Sequence, residues 1–345
     1  RYNAKTGLMQ SPGASRRARR RAFWETSPGP PVGAAFRAYF SPPSGQGFCY
    51  TLRGMSDYKS FQQVLRTAGH YETPRENRRA RPESLSTLHS VGCASMIVGI
   101  ALRCGWRQLL GRFGYDAWAE ICMSSVNFVE RVGGTAIFEG FEQRAAYPGP
   151  VVYVSNHMST LETMIFPTTL LSFGKIAIIL KKSLLDLPVA GGALRALDSI
   201  PVTRTNARED LVTVLEQGPV RLAGGSSVLL FPQGTRQAVF EARRFNSLGA
   251  KLAERAKVPV VPLAVRTDFL STGKWIKDFG EVDPAKPVCI ACGPVLMPEL
   301  GAKKMHEQSV AFIERKIQEW GMPVLLPDPA APHPADAKEA ETARS

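Results

Sequence analysis

The 345-residue sequence predicts an α/β fold: a mostly parallel central sheet flanked by helices, with an N-terminal helical segment suited to a membrane interface. Three observations predict it. From Pro148 onward, short β-branched runs alternate with helical stretches, the signature of strand–helix–strand units. Ahead of them lies one apolar stretch, Leu85–Trp106, whose end is marked by Arg103, Arg107 and Arg112. Polar residues of chemical interest fall repeatedly just after the strands, where parallel sheets bind ligands. With 44% hydrophobic and 21% charged residues, the composition excludes a wholly disordered, collagen-like or coiled-coil chain.

In chain order, residues 1–84 form a basic, Pro/Arg-rich and largely irregular region. They hold 15 basic against 5 acidic side chains and eight prolines, with a short helix expected near Tyr58–Ala68. The run Arg16–Arg21 fits a nucleic-acid tail, an arm lying on an anionic membrane, or a solvated arm. Residues 85–117 form the amphipathic, apolar helical segment. Its most apolar part is about 15 residues, short of the roughly 20 that cross a bilayer, so an interfacial helix and a buried core helix both fit.

Residues 118–320 carry the α/β body. Strands are expected at Val151–Val154, Ile176–Leu180, Ser199–Val202, Val228–Phe231, Val258–Val265 and Val288–Ala291. Helices are expected at Thr160–Leu171, Pro188–Leu197, Arg208–Gln217, Arg243–Ala256 and Lys303–Trp320. Residues 321–345 read as a polar Pro/Ala-rich tail. The six cysteines make no disulfide framework for a chain of this length, which suits a reducing compartment. Cys289 and Cys292 are spaced like half a zinc site, but positions three apart on a strand face opposite sides. No second pair follows, so no metal is expected.

Four segments fall at strand ends. In "VVYVSNHMSTLET", Asn156 and His157 follow a strand and Glu162 lies in the next turn or helix. A five-residue separation is not a same-face helical spacing. A loop histidine can nevertheless meet a carboxylate in the first turn, which is how an imidazole becomes a general base. The alternative is a surface or capping histidine, with Ser159 and Thr160 as capping residues. In "VLLFPQGTRQ", a glycine-permitted turn presents Gln233, Gly234, Thr235 and Arg236, donors suited to a phosphate. It lacks the spacing and lysine of a nucleotide P-loop. "VAGGALRALDSIPVTR" places Arg204 after a short strand, and Pro262 in "VPVVPLAVRTDF" suggests an edge position or a bulge.

Taken in order, His-x4-acid, Ile-Pro-Val-x-Arg, Phe-Pro-x-Gly-Thr-Arg and Val-Pro-Val-Val-Pro resemble the glycerolipid acyltransferase family, of the lysophosphatidate acyltransferase type. The likeness runs over roughly Ala119–Leu296. It implies that 118–320 is an acyltransferase domain. The implied enzyme is membrane-associated, acts on the cytoplasmic face, and moves a fatty acyl group from acyl-CoA or acyl-carrier protein to a lyso-lipid hydroxyl. It needs no cofactor beyond that donor substrate. The resemblance further implies His157 as base, Glu162 as its partner, and Arg204, Gly234, Thr235 and Arg236 on the acceptor's phosphate side. Asn156 and Gln233 line the same site, and Pro262 lies toward the acyl donor. Two positions depart from the family pattern: Glu162 stands for the usual aspartate, and Gln233 for the usual glutamate. They widen the range of acceptors to other lyso-lipids and glycerol-3-phosphate. A non-catalytic lipid-binding protein is the competing class. A nucleic-acid partner is disfavoured, because no aromatic-interleaved basic patch stands in the body.

Overall fold

The structure, a computed structural model, describes residues 57–75, 86–188, 190–273 and 276–325. The basic run Arg16–Arg21, most of the region expected to be irregular and most of the C-terminal tail lie outside these residues.

Among the described residues one large sheet contains β1 (Tyr71–Glu72), β2 (Ala136–Glu139), β3 (Val152–Ser155), β4 (Ile176–Lys181), β5 (Ile200–Val202), β6 (Ser227–Leu230), β8 (Val260–Arg266) and β9 (Val288–Cys292). Its order is β1-β2-β9-β8-β3-β6-β4-β5. From β8 to β5 every pairing is parallel, as is β2 with β9. The pairs β8–β9 and β1–β2 are antiparallel, so the sheet is mixed, though largely parallel. The reason is the β8–β9 connection. It has no described helix to carry a crossover, and it folds back on itself through a bridge between Leu270 and Val282. A separate ribbon pairs β7 (Phe240–Glu241) with β10 (Val324–Leu325), so ordered chain continues past Trp320.

The strands read as nearly unbroken apolar runs because the sheet is covered on both faces. Tyr153, Leu229, Val261 and Leu263 join a core beneath α1 (Tyr58–Ala68), α3 (Tyr115–Arg131) and α5 (Leu161–Leu170). Their neighbours Val152, Val154, Val228 and Leu230 join a second core under α7 (Ala207–Ala223), α8 (Leu248–Ala256) and α9 (Gly301–Glu319). Two short helices, α4 (Glu142–Ala146) and α6 (Ala190–Ala196), lie between the strands in sequence. Helix α1 falls where expected: the Asp57 carboxylate caps it by accepting from Ser60 N–H, and Gly69 closes it at φ 65°. Its Phe61 and Leu65 are buried, each worth roughly 1.5–3 kcal/mol.

Three local readings change. The apolar segment is one continuous helix, α2 (Ser86–Leu109), of 24 residues. By length and composition it is long and apolar enough to cross a membrane. Arg103 does not interrupt it, because its guanidinium folds back to Gly99 O and Ser124 Oγ on α3. The outer face keeps an exposed stripe at three- and four-residue spacing: Leu88, Val91, Val98, Leu102, Trp106 and Leu109. Helix α7 continues through Pro219, where sequence rules end it. There Gly218 lies so close to Leu252 of α8 that a Cβ would come within 2.6 Å of Leu252 Cδ1. Pro262 is not at an edge, since β8 lies between β3 and β9. It is at a bulge: between the Val260–Leu296 and Leu263–Cys292 pairs, β8 advances three residues and the facing segment four. Pro262 O accepts from Gly293 N–H, and the missing proline N–H faces the extra residue.

Candidate active site

The C-terminal ends of β8, β3 and β6, side by side in mid-sheet, converge on one place. Asn156, just past β3, is buried, and both ends of its amide are engaged by β8. Its Nδ2 donates to Val265 O (2.9 Å) and its Oδ1 accepts from Val265 N (2.8 Å). It therefore fixes the loop to the neighbouring strand.

His157 follows, 9% exposed, its ring stacked on Phe231 with centroids 4.2 Å apart. Its Nδ1 lies 2.7 Å from Glu162 Oε1. The loop brings together two residues that no helical face would pair. Glu162 is completely buried and reaches back to Ser159. Ser159 Oγ accepts from Leu161 N, while Glu162 accepts from the N–H groups of Met158 and Ser159 and from Ser159 Oγ. A further donor comes from β8's end: Thr267 Oγ1, 2.6 Å from Glu162 Oε2. Burial pushes the Glu162 carboxyl up. Hydrogen bonds from His157 and Thr267 and the imidazole's charge outweigh it, leaving the group below its ordinary range. An ionised carboxylate only accepts, so Nδ1 carries the hydrogen and Nε2 is left with a free lone pair.

The turn after β6 brackets the His157 peptide. Gln233 Oε1 accepts from His157 N (2.9 Å), Gln233 Nε2 donates to Gln237 Oε1 (2.8 Å), and Gln237 N donates to His157 O (2.8 Å). Gly234, at φ 72°, makes the tight turn, and both it and Thr235 are exposed. Arg236 reaches back toward α5, meeting Thr160 Oγ1, Lys277 O at 3.2 Å and Asp278 Oδ1 at 2.8 Å.

Arg204 follows β5 in the left-handed region, at φ 62°, a conformation that costs a non-glycine residue roughly 1–3 kcal/mol. Asp210 holds it there by accepting from Thr203 N, Thr203 Oγ1 and Arg204 N. Burial first, and then repulsion from Arg236, hold the Arg204 guanidinium below the usual arginine range, with Asp210 pulling the other way. Pro262 stands apart from this group: it is buried within β8 opposite Val154.

Five residues at this site escaped the sequence reading: Phe231, Gln237, Asp210, Asp278 and Thr267. Asp210 had a local signal, an acid in the first turn after Asn206, which caps α7. The others depend on which strands lie side by side. Among the described residues no group of three or more His, Cys, Asp or Glu side chains is placed to hold a metal ion.

Residues 138–266, spanning β2 to the end of β8, match the family described as Acyltransferase. Over this region the chain is similar to the glycerolipid acyltransferases. A curated 1-acyl-sn-glycerol-3-phosphate acyltransferase of Pseudomonas aeruginosa is 29% identical over 50% of this chain and 62% of its own length. The chloroplastic 1-acyl-sn-glycerol-3-phosphate acyltransferase LPAT1 of Arabidopsis thaliana is 34% identical over 52% of this chain and 47% of its own. The chain therefore spans less than two thirds of the length of these relatives. The crystal structure of the 1-acyl-sn-glycerophosphate acyltransferase PlsC from Thermotoga maritima superposes with a TM-score of 0.53 at 16% identity. It covers 69% of this chain and 97% of that one, a likeness of fold.

Proposed function

We propose that this protein transfers a fatty acyl group from an acyl thioester to the free hydroxyl of a lysophospholipid, with 1-acyl-sn-glycerol-3-phosphate as the favoured acceptor. The observation that carries this reading is the buried His157–Glu162 pair, which leaves Nε2 as the available base. The acceptor's phosphate sits toward Arg204 and Arg236, with the Gly234–Thr235 turn alongside. Its hydroxyl reaches His157 Nε2, which takes the proton as the oxygen attacks the thioester carbonyl. Glu162 stabilises the imidazolium formed. The tetrahedral intermediate collapses, the C–S bond breaks, and the thiolate leaves, taking up the proton that His157 received and restoring the neutral base. A thiolate is a good leaving group, so transfer needs no covalent enzyme intermediate.

The donor is acyl-CoA or acyl-carrier protein; the wall that receives its chain includes the β8 side near Pro262. Both substrates are amphiphilic, and α2 suggests association with a membrane. One face of α2 packs on α3, where Arg107 lies 3.6 Å from Glu120, and the opposite face is the exposed apolar stripe with Trp106 near its end. That division suits a helix lying in the interface with the body outside the hydrocarbon; we place the body on the cytoplasmic side. The test is thiol release by detergent-solubilised protein. Long-chain acyl-CoA and acyl-carrier protein are each paired with lysophosphatidate, other lyso-lipids and glycerol-3-phosphate, with His157→Ala as control. Acceptor-dependent release that is lost in the control is expected. Release by the control equal to wild type, or no release with any pair, overturns the reading and favours non-catalytic lipid binding.

A further inference from the structure

We propose that Thr267 is a positioning residue of this reaction: its hydroxyl locks the Glu162 carboxylate so that Oε1 faces His157 Nδ1. The proposal rests on the acyl-transfer reading above.

Thr267 is fully buried and stands one residue past β8, 105 positions from the carboxylate it touches at 2.6 Å. The remaining hydrogen bonds to Oε2 come from Ser159, within Glu162's own loop. Among the described residues, Thr267 is thus the donor that ties the carboxylate to another element. That element also carries Val265, to which Asn156 is bound twice. The His157 loop is therefore fastened to one central strand at two points, one through backbone and one through the carboxylate. The strand end is itself anchored. Arg266 Nε lies 3.0 Å from Asp268 Oδ1, and its Nη1 donates to Trp320 O at 2.8 Å. The threonine between them has little freedom to turn away. A carboxylate has no hydrogen to give, so the Thr267 hydrogen is committed to Oε2.

The charged groups around Glu162 leave this hydroxyl a distinct part. His157 faces the carboxylate from the β3–α5 loop. Arg236 and Asp278 meet at Thr160, at the start of α5. Arg266, at the end of β8, and Lys286 both pair with Asp268. Burial raises the carboxyl's pKa, and Thr267 is one of the groups that bring it down again. Without the hydroxyl the carboxylate becomes more basic and pulls harder on Nδ1–H. Nε2 then keeps a proton to higher pH, and the base becomes available only at higher pH.

The experiment uses the full chain in detergent, with thiol release measured from pH 5 to 9 for wild type, Thr267→Val, Thr267→Ser and His157→Ala. Thermal melting is recorded for each. Val keeps the shape and removes the donor. The expected loss in kcat is about tenfold, the equivalent of one charge-assisted hydrogen bond, with both KM values little changed. The acid limb of the profile should move up by about one pH unit. Thr267→Ser should restore both rate and limb. An unmoved limb in Thr267→Val, or a Ser variant as impaired as Val, reduces Thr267 to packing and overturns the proposal. Should Val not fold, Thr267→Cys carries a weaker donor of similar size and has to give an intermediate shift; a wild-type profile there overturns the proposal too. Activity surviving in His157→Ala defeats the acyl-transfer reading and this proposal with it. An inactive His157→Ala beside an unmoved limb in Thr267→Val defeats this proposal alone.

Discussion

Replacing Glu162 with glutamine keeps the side chain's size and removes its charge. The carboxylate accepts six hydrogen bonds: from His157 Nδ1, Met158 N and Ser159 N at Oε1, and from Ser159 N, Ser159 Oγ and Thr267 Oγ1 at Oε2. A carboxamide accepts only at its oxygen. Its better placement puts that oxygen at the Oε1 position, because the two hydroxyls beside Oε2 can rotate to accept from an NH2 group. His157 then keeps its tautomer, and what the imidazolium loses is its counter-charge. For charges about 4 Å apart at an effective dielectric near 20, that is worth about 3–4 kcal/mol. Such a loss lowers kcat by roughly two to three powers of ten. Stability should change less, because relief of the buried charge offsets the roughly 1–3 kcal/mol of leaving Ser159 N–H against an NH2 group. The assay is kcat from thiol release at saturating donor and acceptor, with thermal melting alongside. A Glu162→Gln enzyme within about threefold of wild type would show that imidazolium stabilisation is not what the carboxylate supplies.

Three other outcomes follow from the same geometry. Folding lowers the Glu162 pKa, so its contribution to stability is complete above the ordinary value of 4.5 and is lost as pH falls through the lower folded value. Acid titration of unfolding should accordingly show a shallower decline below pH 4.5 in Glu162→Gln than in wild type. Asp210→Ala removes the acceptor that holds Arg204 at positive φ, so the acceptor KM should rise about fivefold with kcat nearly unchanged; equal loss in kcat would place Arg204 in the transition state instead. Gln233→Leu leaves His157 N–H without its acceptor and should cost about 1–3 kcal/mol of stability, read from denaturant unfolding. An unchanged midpoint would show that another group takes over that hydrogen bond.

How far the site was legible depends on the distance along the chain over which each contact forms. His157 and Glu162 lie in one loop, and a histidine before a helix with an acid in its first turn is a local pattern. Val228–Phe231 and Val151–Val154 were readable as strands because burial on both faces leaves an unbroken apolar run. β2 was missed because four residues, Ala136–Glu139, carry little pattern of their own and become a strand through pairing with β9. Thr267 and Gln237 were invisible for the same reason. Each matters because β8 and β6 flank β3, and that lateral order is not written in any one segment. Pro262 shows a local rule half applied: the missing N–H does require an interruption, but the interruption is a bulge in the facing segment and not an edge. In α2 the charge of Arg103 shortened the apolar run on paper, whereas its guanidinium folds back onto the helix's own carbonyl and onto α3.

The substitution of glutamate for the usual aspartate also acquires a reason at this level. Glu162 performs two tasks with one carboxylate: it accepts from Met158 and Ser159 in its own loop and holds His157 Nδ1. The carboxylate has to reach back over the first turn to the N–H groups of Met158 and Ser159, and glutamate's extra methylene supplies that reach. The donor from Thr267 then fixes which way the longer side chain turns. Length alone would make the carboxylate a looser partner for the imidazole. A buried hydroxyl on a central strand compensates by removing that freedom, so the longer acid at 162 and the threonine at 267 are best understood as one arrangement.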